Sequence, residues 1–303
     1  MSDLYQKHRP TKWNEMVGQP DAVAKLRAMG DSPPHAMMFV GHSGCGKTTA
    51  ARILKDKLGV ERLDFLEMNA ADEGGINAIR DVIRLSQIKP LGRARLIVID
   101  EAHQLTGASQ NALLKTLEDA PATTYFVLCT TNPSKIIKTI ETRCTVVKFG
   151  QIDPDELKRL CQRIAKKEGY ELDEDTLERI ADAADGSARK AVVLMQQVAG
   201  LPEGERAEAV QKAEVKALGI DLCRKIINPR VKWPEVAAVL KKLDEDPEGV
   251  RRLMLAYLGS VLLNRSDPRV AWLMNCLKEP LFDGASAKAL LALACWEGVQ
   301  GPS

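Results

Sequence analysis

The 303-residue sequence predicts an α/β domain built on a parallel sheet, followed by two regions made of helices alone. Three observations carry that reading. Short apolar runs alternate with helical periodicity from residue 36 to about 149, the pattern of strands covered by crossover helices. The first of those runs leads directly into a glycine-rich turn and then a helix, the arrangement of a phosphate-binding loop. Beyond Gly150 the apolar residues recur at helical spacing, and no strand pattern of comparable strength returns.

Residues 36–40, 96–99 and 125–128 are near-continuous apolar runs, as expected of strands buried on both faces, and Val146-Val147-Lys148-Phe149 is a weaker fourth. After Gly150, Asp153-Pro154-Asp155-Glu156 supplies an N-cap residue, a proline at the first helical position and acids in the first turn. A helix follows with Leu157, Leu160 and Ile164 on one face. A second carries Leu177, Ile180 and Ala181 after Asp173, and a third runs from about Ser187 to Val198. Past Gly200-Leu201-Pro202, residues 205–303 read as helices interrupted at Asn228-Pro229, Asp246-Pro247 and Asp267-Pro268. The expected domains are therefore 1–150, 151–203 and 204–303. No repeat of fixed period suggests a solenoid.

Composition narrows the function. With 43 Lys and Arg against 41 Asp and Glu the formal charge is +2, so a polyanion has to be met by a local basic patch rather than by the global field. Aromatic residues make up 4%, too few for a base-stacking platform. The seven cysteines, an odd and scattered set, oppose a disulfide framework and a paired zinc module and favour reduced thiols. The opening residues lack an apolar signal core, and no stretch reaches the roughly 18 apolar residues of a membrane span, so the expectation is a cytoplasmic protein without membrane contact.

The strongest motif is Gly41-His42-Ser43-Gly44-Cys45-Gly46-Lys47-Thr48, placed after a buried strand and before a helix starting near Thr49. Its glycines let backbone N–H groups wrap phosphates, Lys47 reaches the β and γ oxygens, Thr48 ligates Mg²⁺, and the helix N-terminus adds its dipole. These residues predict an ATP site. Leu96-Ile97-Val98-Ile99-Asp100-Glu101 puts two acids at the carboxyl end of a buried strand, a Walker-B pattern in which Asp100 holds the metal with Thr48 and Glu101 polarises water. Asn132, at the end of a third run, is either a turn cap or a group near the γ-phosphate and its water. Arg143 stands in a polar loop, as a solvated or ion-paired side chain or as an arginine finger supplied in trans to a neighbour. Arg189 lies in the first turn of a helix, where the dipole disfavours a cation and an anionic partner would explain it.

These residues resemble a known family. Tyr5-Gln-Lys-His-Arg9-Pro10, Val17-Gly18-Gln19, the P-loop, Asp100-Glu101-Ala102-His103, Thr131-Asn132, Arg143-Cys144 and Gly186-x-x-Arg189 occur in the order seen in AAA+ ATPases of the sliding-clamp-loader group, over residues 4 to about 195. The chain is most similar to replication factor C small subunits and phage clamp loaders, and Asn111–Pro121 also resembles the bacterial tau/gamma subunit. It departs from the latter in lacking a cysteine-rich zinc insertion, and Thr142 replaces the serine of the usual Ser-Arg-Cys trio.

The resemblance implies an AAA+ P-loop ATPase domain, a helical lid and a helical collar that holds subunits together. It implies an ATP-driven subunit of a five-subunit ring that opens a sliding clamp and closes it on primer-template DNA. Arg9, Val17 and Arg189 would join the P-loop in binding nucleotide, with Arg189 and Arg143 (in trans) also serving hydrolysis. Residues 71–84 resemble the family's DNA-tracking helix, with Arg80 and Arg84 one turn apart on one face. Lys115 matches a further DNA-facing position, and Gln110 matches a glutamine that couples DNA contact to the catalytic glutamate. A solvated basic helix face is the plain alternative for the three cations. A AAA+ helicase loader or branch-migration motor would share the nucleotide-site residues. No aromatic pore loop or winged-helix pattern supports it, and the complete set of Lys47, Thr48, Asp100 and Glu101 opposes a non-hydrolysing scaffold.

Overall fold

Parallel strands β1 (Ala36–Val40), β2 (Phe65–Asn69), β3 (Arg95–Asp100), β4 (Thr124–Thr130) and β5 (Thr145–Lys148) pair in the order β2-β3-β4-β1-β5. The computed structural model describes residues 3–30, 32–229, 231–241, 247–264, 266–281 and 286–301. The chain divides into two compact units, Met1–Gly204 and Glu205–Ser303.

In the first unit, helices α1 (Leu4–Lys7) and α2 (Pro20–Ala28) precede the sheet. Helices α3 (Lys47–Lys57), α4 (Ala70–Glu73), α5 (Ile76–Gln87), α6 (Gly107–Glu118) and α7 (Lys138–Glu141) fall between its strands. Alternate strand residues feed opposite faces. Met37, Phe39, Leu96, Val98 and Val127 pack under α2 and α3 against Leu26, Ile53 and Leu54. Met38, Ile97, Ile99, Phe126 and Leu128 pack on the other face against Ile79 of α5 and Leu113 of α6. Burial on both faces makes β1, β3 and β4 read as continuous apolar runs.

Strand β2 is the addition to the four strands expected. It lies at the sheet edge, and its residues Glu67 and Asn69 face solvent, so no apolar run marks it. The weaker fourth run, β5, is the opposite edge.

Helices α8 (Pro154–Glu168), α9 (Glu174–Ala183) and α10 (Ala188–Val198) complete the unit. Each starts at a side-chain cap: Asp153 accepts from the Asp155 N–H at 2.9 Å, Asp173 from Thr176 at 2.7 Å and Ser187 from Lys190 at 3.3 Å. Gly169, at φ +73°, ends α8 in the left-handed conformation.

The described elements of the second unit are all helices: α11 (Glu203–Ile227, which begins in the first unit), α12 (Trp233–Lys241), α13 (Pro247–Asn264), α14 (Pro268–Cys276) and α15 (Ala287–Gln300). The proline-marked interruptions fall at element ends: α11 stops before Asn228, while α13 and α14 start at Pro247 and Pro268. Asp246 lies outside the described residues. Leu222, Val250, Met254, Leu258, Leu273 and Leu291 form the core. Among the described residues no helix is long and apolar enough to cross a membrane.

Candidate nucleotide site and nucleic-acid face

The carboxyl ends of β1, β3 and β4 meet at one edge of the sheet, where open α/β sheets bind ligands. The P-loop leaves β1 there and enters α3. Gly46 holds φ +106°, a conformation side chains oppose, and a Cβ on Gly44 would lie 2.0 Å from the Ser187 hydroxyl oxygen. The loop therefore presents bare backbone to the cleft. The buried Lys47 turns its ammonium onto the loop's own carbonyls, donating to Gly41 O at 2.9 Å and His42 O at 2.8 Å. A phosphate entering the loop offers that ammonium a charged acceptor in place of two neutral ones.

Thr48 donates its hydroxyl to Asp100 Oδ2 at 2.8 Å, joining the start of α3 to the end of β3. Asp100 Oδ1 accepts the Glu101 N–H at 2.9 Å. Glu101 sits in the left-handed region at φ +48°, an unusual conformation for a side-chain-bearing residue. Its Oε2 lies 3.4 Å from His103 Nδ1 and 3.5 Å from Thr131 Oγ1. Burial pushes the pKa of His103 below its ordinary value, more than the neighbouring Glu101 charge raises it, so the ring is neutral at physiological pH.

A cleft is lined by Ser43–Thr49, Asp100, Glu101, Arg9, Val17 and Arg189 together. Gly41 and His42 are not in its lining and contribute the carbonyls that hold Lys47. Burial lowers the pKa of the Arg9 guanidinium, and the fields of Arg52 and Arg189 add to that effect. The same lining includes the apolar side chains Met16, Ile152, Leu160, Ile164 and Val192, together with Tyr5 and His8. Sequence reasoning did not place these residues in a site. The apolar positions on α8 and α10 carry the signal of a helix core face, which a cleft wall shares.

The donor set fits ATP with Mg²⁺. A threonine hydroxyl and an aspartate carboxylate are hard oxygen ligands, suited to a magnesium ion that keeps phosphate oxygens and water as its remaining ligands. Among the described residues there is no group of three or more His, Cys, Asp or Glu side chains that would hold a metal without a substrate.

Asn132 and Arg143 lie outside the cleft lining. Asn132, just past β4, accepts from the Ser134 hydroxyl at 2.6 Å at the start of a short turn, without a side-chain capping bond to the turn's backbone. Arg143 lies in the turn between α7 and β5, donates to Thr139 O at 2.8 Å and pairs with Glu118 at the end of α6. Its Nε is buried without a hydrogen-bond partner among the described residues.

Arg80 and Arg84 are exposed on α5, with Arg84 paired to Asp81 at 3.1 Å, and Lys115 is exposed on α6, which packs on α5. Gln110, five residues before Lys115 on α6, is buried. Its Nε2 donates to Leu105 O and Lys135 O, both at 3.2 Å, and its Oε1 accepts the Ile137 N–H at 2.8 Å. These bonds tie α6 to the segment after β4 and do not reach Glu101.

The family model described as DNA polymerase III, delta subunit, matches residues 65–153. The replication factor C small subunit of Picrophilus torridus is 36% identical over 201 residues, 64% of this chain and 63% of that protein, so the chain spans less than two thirds of that relative. Among solved structures, the Thermotoga maritima RuvB Holliday junction branch migration motor aligns with a TM-score of 0.57 over 77% of this chain and 85% of that one. At 21% identity this likeness shows the shared fold alone. The replication factor C small subunit of Methanococcus maripaludis is 36% identical over 219 residues, 70% of this chain and 69% of that protein, and the chain belongs to the replication factor C small-subunit family.

Proposed function

We propose that this chain is an ATPase subunit of a DNA-replication clamp loader, which uses ATP binding and hydrolysis to open a sliding clamp and load it onto primer-template DNA. The observation that carries the proposal is the convergence of Lys47, Thr48, Asp100 and Glu101 at one sheet edge, in a cleft that Arg9 and Arg189 also line. Lys47 binds the β- and γ-phosphates in place of its two loop carbonyls. Thr48 and Asp100 hold Mg²⁺, which when bound neutralises phosphate charge. Glu101 takes a proton from the water that attacks the γ-phosphorus, and ADP leaves as the bond to its β-phosphate oxygen breaks.

Arg143, paired to Glu118 outside its own cleft, is read as a finger for the neighbouring subunit's ATP, which makes each site complete only in a ring of about five subunits. Residues 1–150 form the ATPase domain, 151–203 the lid, and 204–303 the collar through which subunits associate. Arg80, Arg84 and Lys115 meet template phosphates, a contact suited to an enzyme that accepts any sequence. Gln110 transmits that contact by holding α6 to the segment after β4. With its cysteines free and mostly buried, the protein suits a reducing cytoplasm.

The test separates binding from turnover. Glu101→Gln keeps ATP affinity and loses hydrolysis, whereas Lys47→Ala loses both. Unchanged hydrolysis in the glutamine variant would refute the assignment.

A further inference from the structure

We infer that Tyr5 is a positioning residue whose ring holds the Arg189 guanidinium toward the nucleotide cleft, and so raises affinity for ATP relative to ADP. The inference rests on the reading of that cleft as an ATP site. Arg189 is the second residue of α10 and, among the described residues, no carboxylate pairs with it. Its guanidinium lies over the face of Tyr5, with the guanidinium carbon 5.4 Å from the ring centroid. That distance is within the ~6 Å over which an aromatic face attracts a cation.

Something has to hold Arg189 there. Arg9 lines the same cleft, and the field of Arg189 lowers its pKa, so two guanidinium groups repel across the site before any anion arrives. A helix N-terminus adds no attraction for a cation. An unrestrained Arg189 would turn to solvent, and ATP would have to order it on binding. A side chain already held at the cleft avoids that cost.

Tyr5 is itself fixed by its neighbours. Helix α1 docks on α10 through the buried Leu4, whose N–H donates to Gln196 Oε1 at 3.0 Å. At the other end Lys7 Nζ and His8 Nε2 reach the Glu168 carboxylate of α8 at 2.8 and 2.5 Å. Tyr5 is thus carried on a segment anchored at both ends, with its ring 5.4 Å from the Arg189 guanidinium carbon.

The experiment measures ATP and ADP affinity of the full chain for wild type, Tyr5→Phe, Tyr5→Leu, Arg189→Ala and the Tyr5→Leu/Arg189→Ala double variant. Leucine keeps apolar volume and removes the aromatic face, while phenylalanine keeps the face and removes the hydroxyl. Tyr5→Leu is expected to weaken ATP by three- to tenfold, ~0.7–1.4 kcal/mol, while ADP changes less than twofold. Tyr5→Phe should match wild type, and Tyr5→Leu should add less than twofold once Arg189 is alanine. Equal losses for ATP and ADP, or a Tyr5→Leu loss that persists without Arg189, would make Tyr5 a packing residue and overturn the inference. If Arg189→Ala weakens ATP and Tyr5→Leu does not, the inference alone fails. If Arg189→Ala leaves ATP affinity unchanged, the reading of Arg189 in the site fails and takes the inference with it.

Discussion

Replacing Glu248 with glutamine tests how the second unit holds its helices together. Glu248, in the first turn of α13, accepts from Arg251 Nη2 at 2.6 Å and Arg252 Nε at 2.8 Å on one oxygen. The other oxygen accepts from Arg251 Nε at 2.7 Å and the Leu281 N–H at 2.8 Å. Arg251 is buried and donates to Leu277 O at 2.7 Å, so the pair fixes the start of α13 to the segment after α14. The bonds from Arg251, with those from Leu281 and Arg252, hold the Glu248 carboxyl at a pKa of about 2. Because the folded pKa lies below the unfolded value of about 4.3, the carboxylate stabilises the fold fully above that pH, and the contribution disappears as pH falls toward 2. A gap of about two units corresponds to ~3 kcal/mol, close to the cost of leaving a buried arginine without its carboxylate. Three of the chain's four tryptophans, Trp233, Trp272 and Trp296, lie in this unit, so fluorescence-detected urea unfolding reports on it. Glu248→Gln should be less stable by ~3 kcal/mol at pH 7, with the gap to wild type closing progressively below pH ~4. A gap under ~1 kcal/mol at pH 7, or one that stays constant down to pH 3, would refute this reasoning.

Two further outcomes follow from the first unit. The Arg80→Ala/Arg84→Ala/Lys115→Ala variant should lose about one unit of salt slope per phosphate contact, equally for unrelated primer-template sequences, and an unchanged slope would reject the DNA-facing role. Gln110→Ala leaves the Ile137 N–H and two carbonyls without their partner and should lower the stability of the first unit by ~1–3 kcal/mol, read from its thermal unfolding, while an unaltered transition would contradict the strap described for this side chain.

What the sequence makes legible depends on how local the physics is. The starts of α8, α9 and α10 are readable because a cap bonds an N–H two or three residues away, as Asp153, Asp173 and Ser187 do. The central strands are readable because burial on both faces demands apolar residues at every position. Strand β2 fails that criterion: as an edge strand it pairs on one side and leaves Glu67 exposed. The phosphate-binding end of the site is contiguous in sequence and easily found. The apolar part of its lining is assembled from Met16, Ile152, Leu160 and Val192, which meet through folding, and a periodic face does not reveal whether it covers a core or a ligand. Gln110 illustrates the same limit, since its three backbone partners are brought around it by separate segments.

The central claim is that ATP is hydrolysed between subunits of a loader assembled on clamp and primed DNA, with Lys47 and Glu101 from one subunit and Arg143 from the next. The direct measurement is ATP turnover of the assembled complex for wild type, Arg143→Ala, Lys47→Ala and a mixture of the two variants. Each variant alone should fall by up to ~10³–10⁵, while the mixture regains turnover at interfaces where an intact Arg143 faces an intact P-loop. Turnover by assembled Arg143→Ala as fast as wild type would contradict the account and leave Arg143 as the ion-pair partner of Glu118.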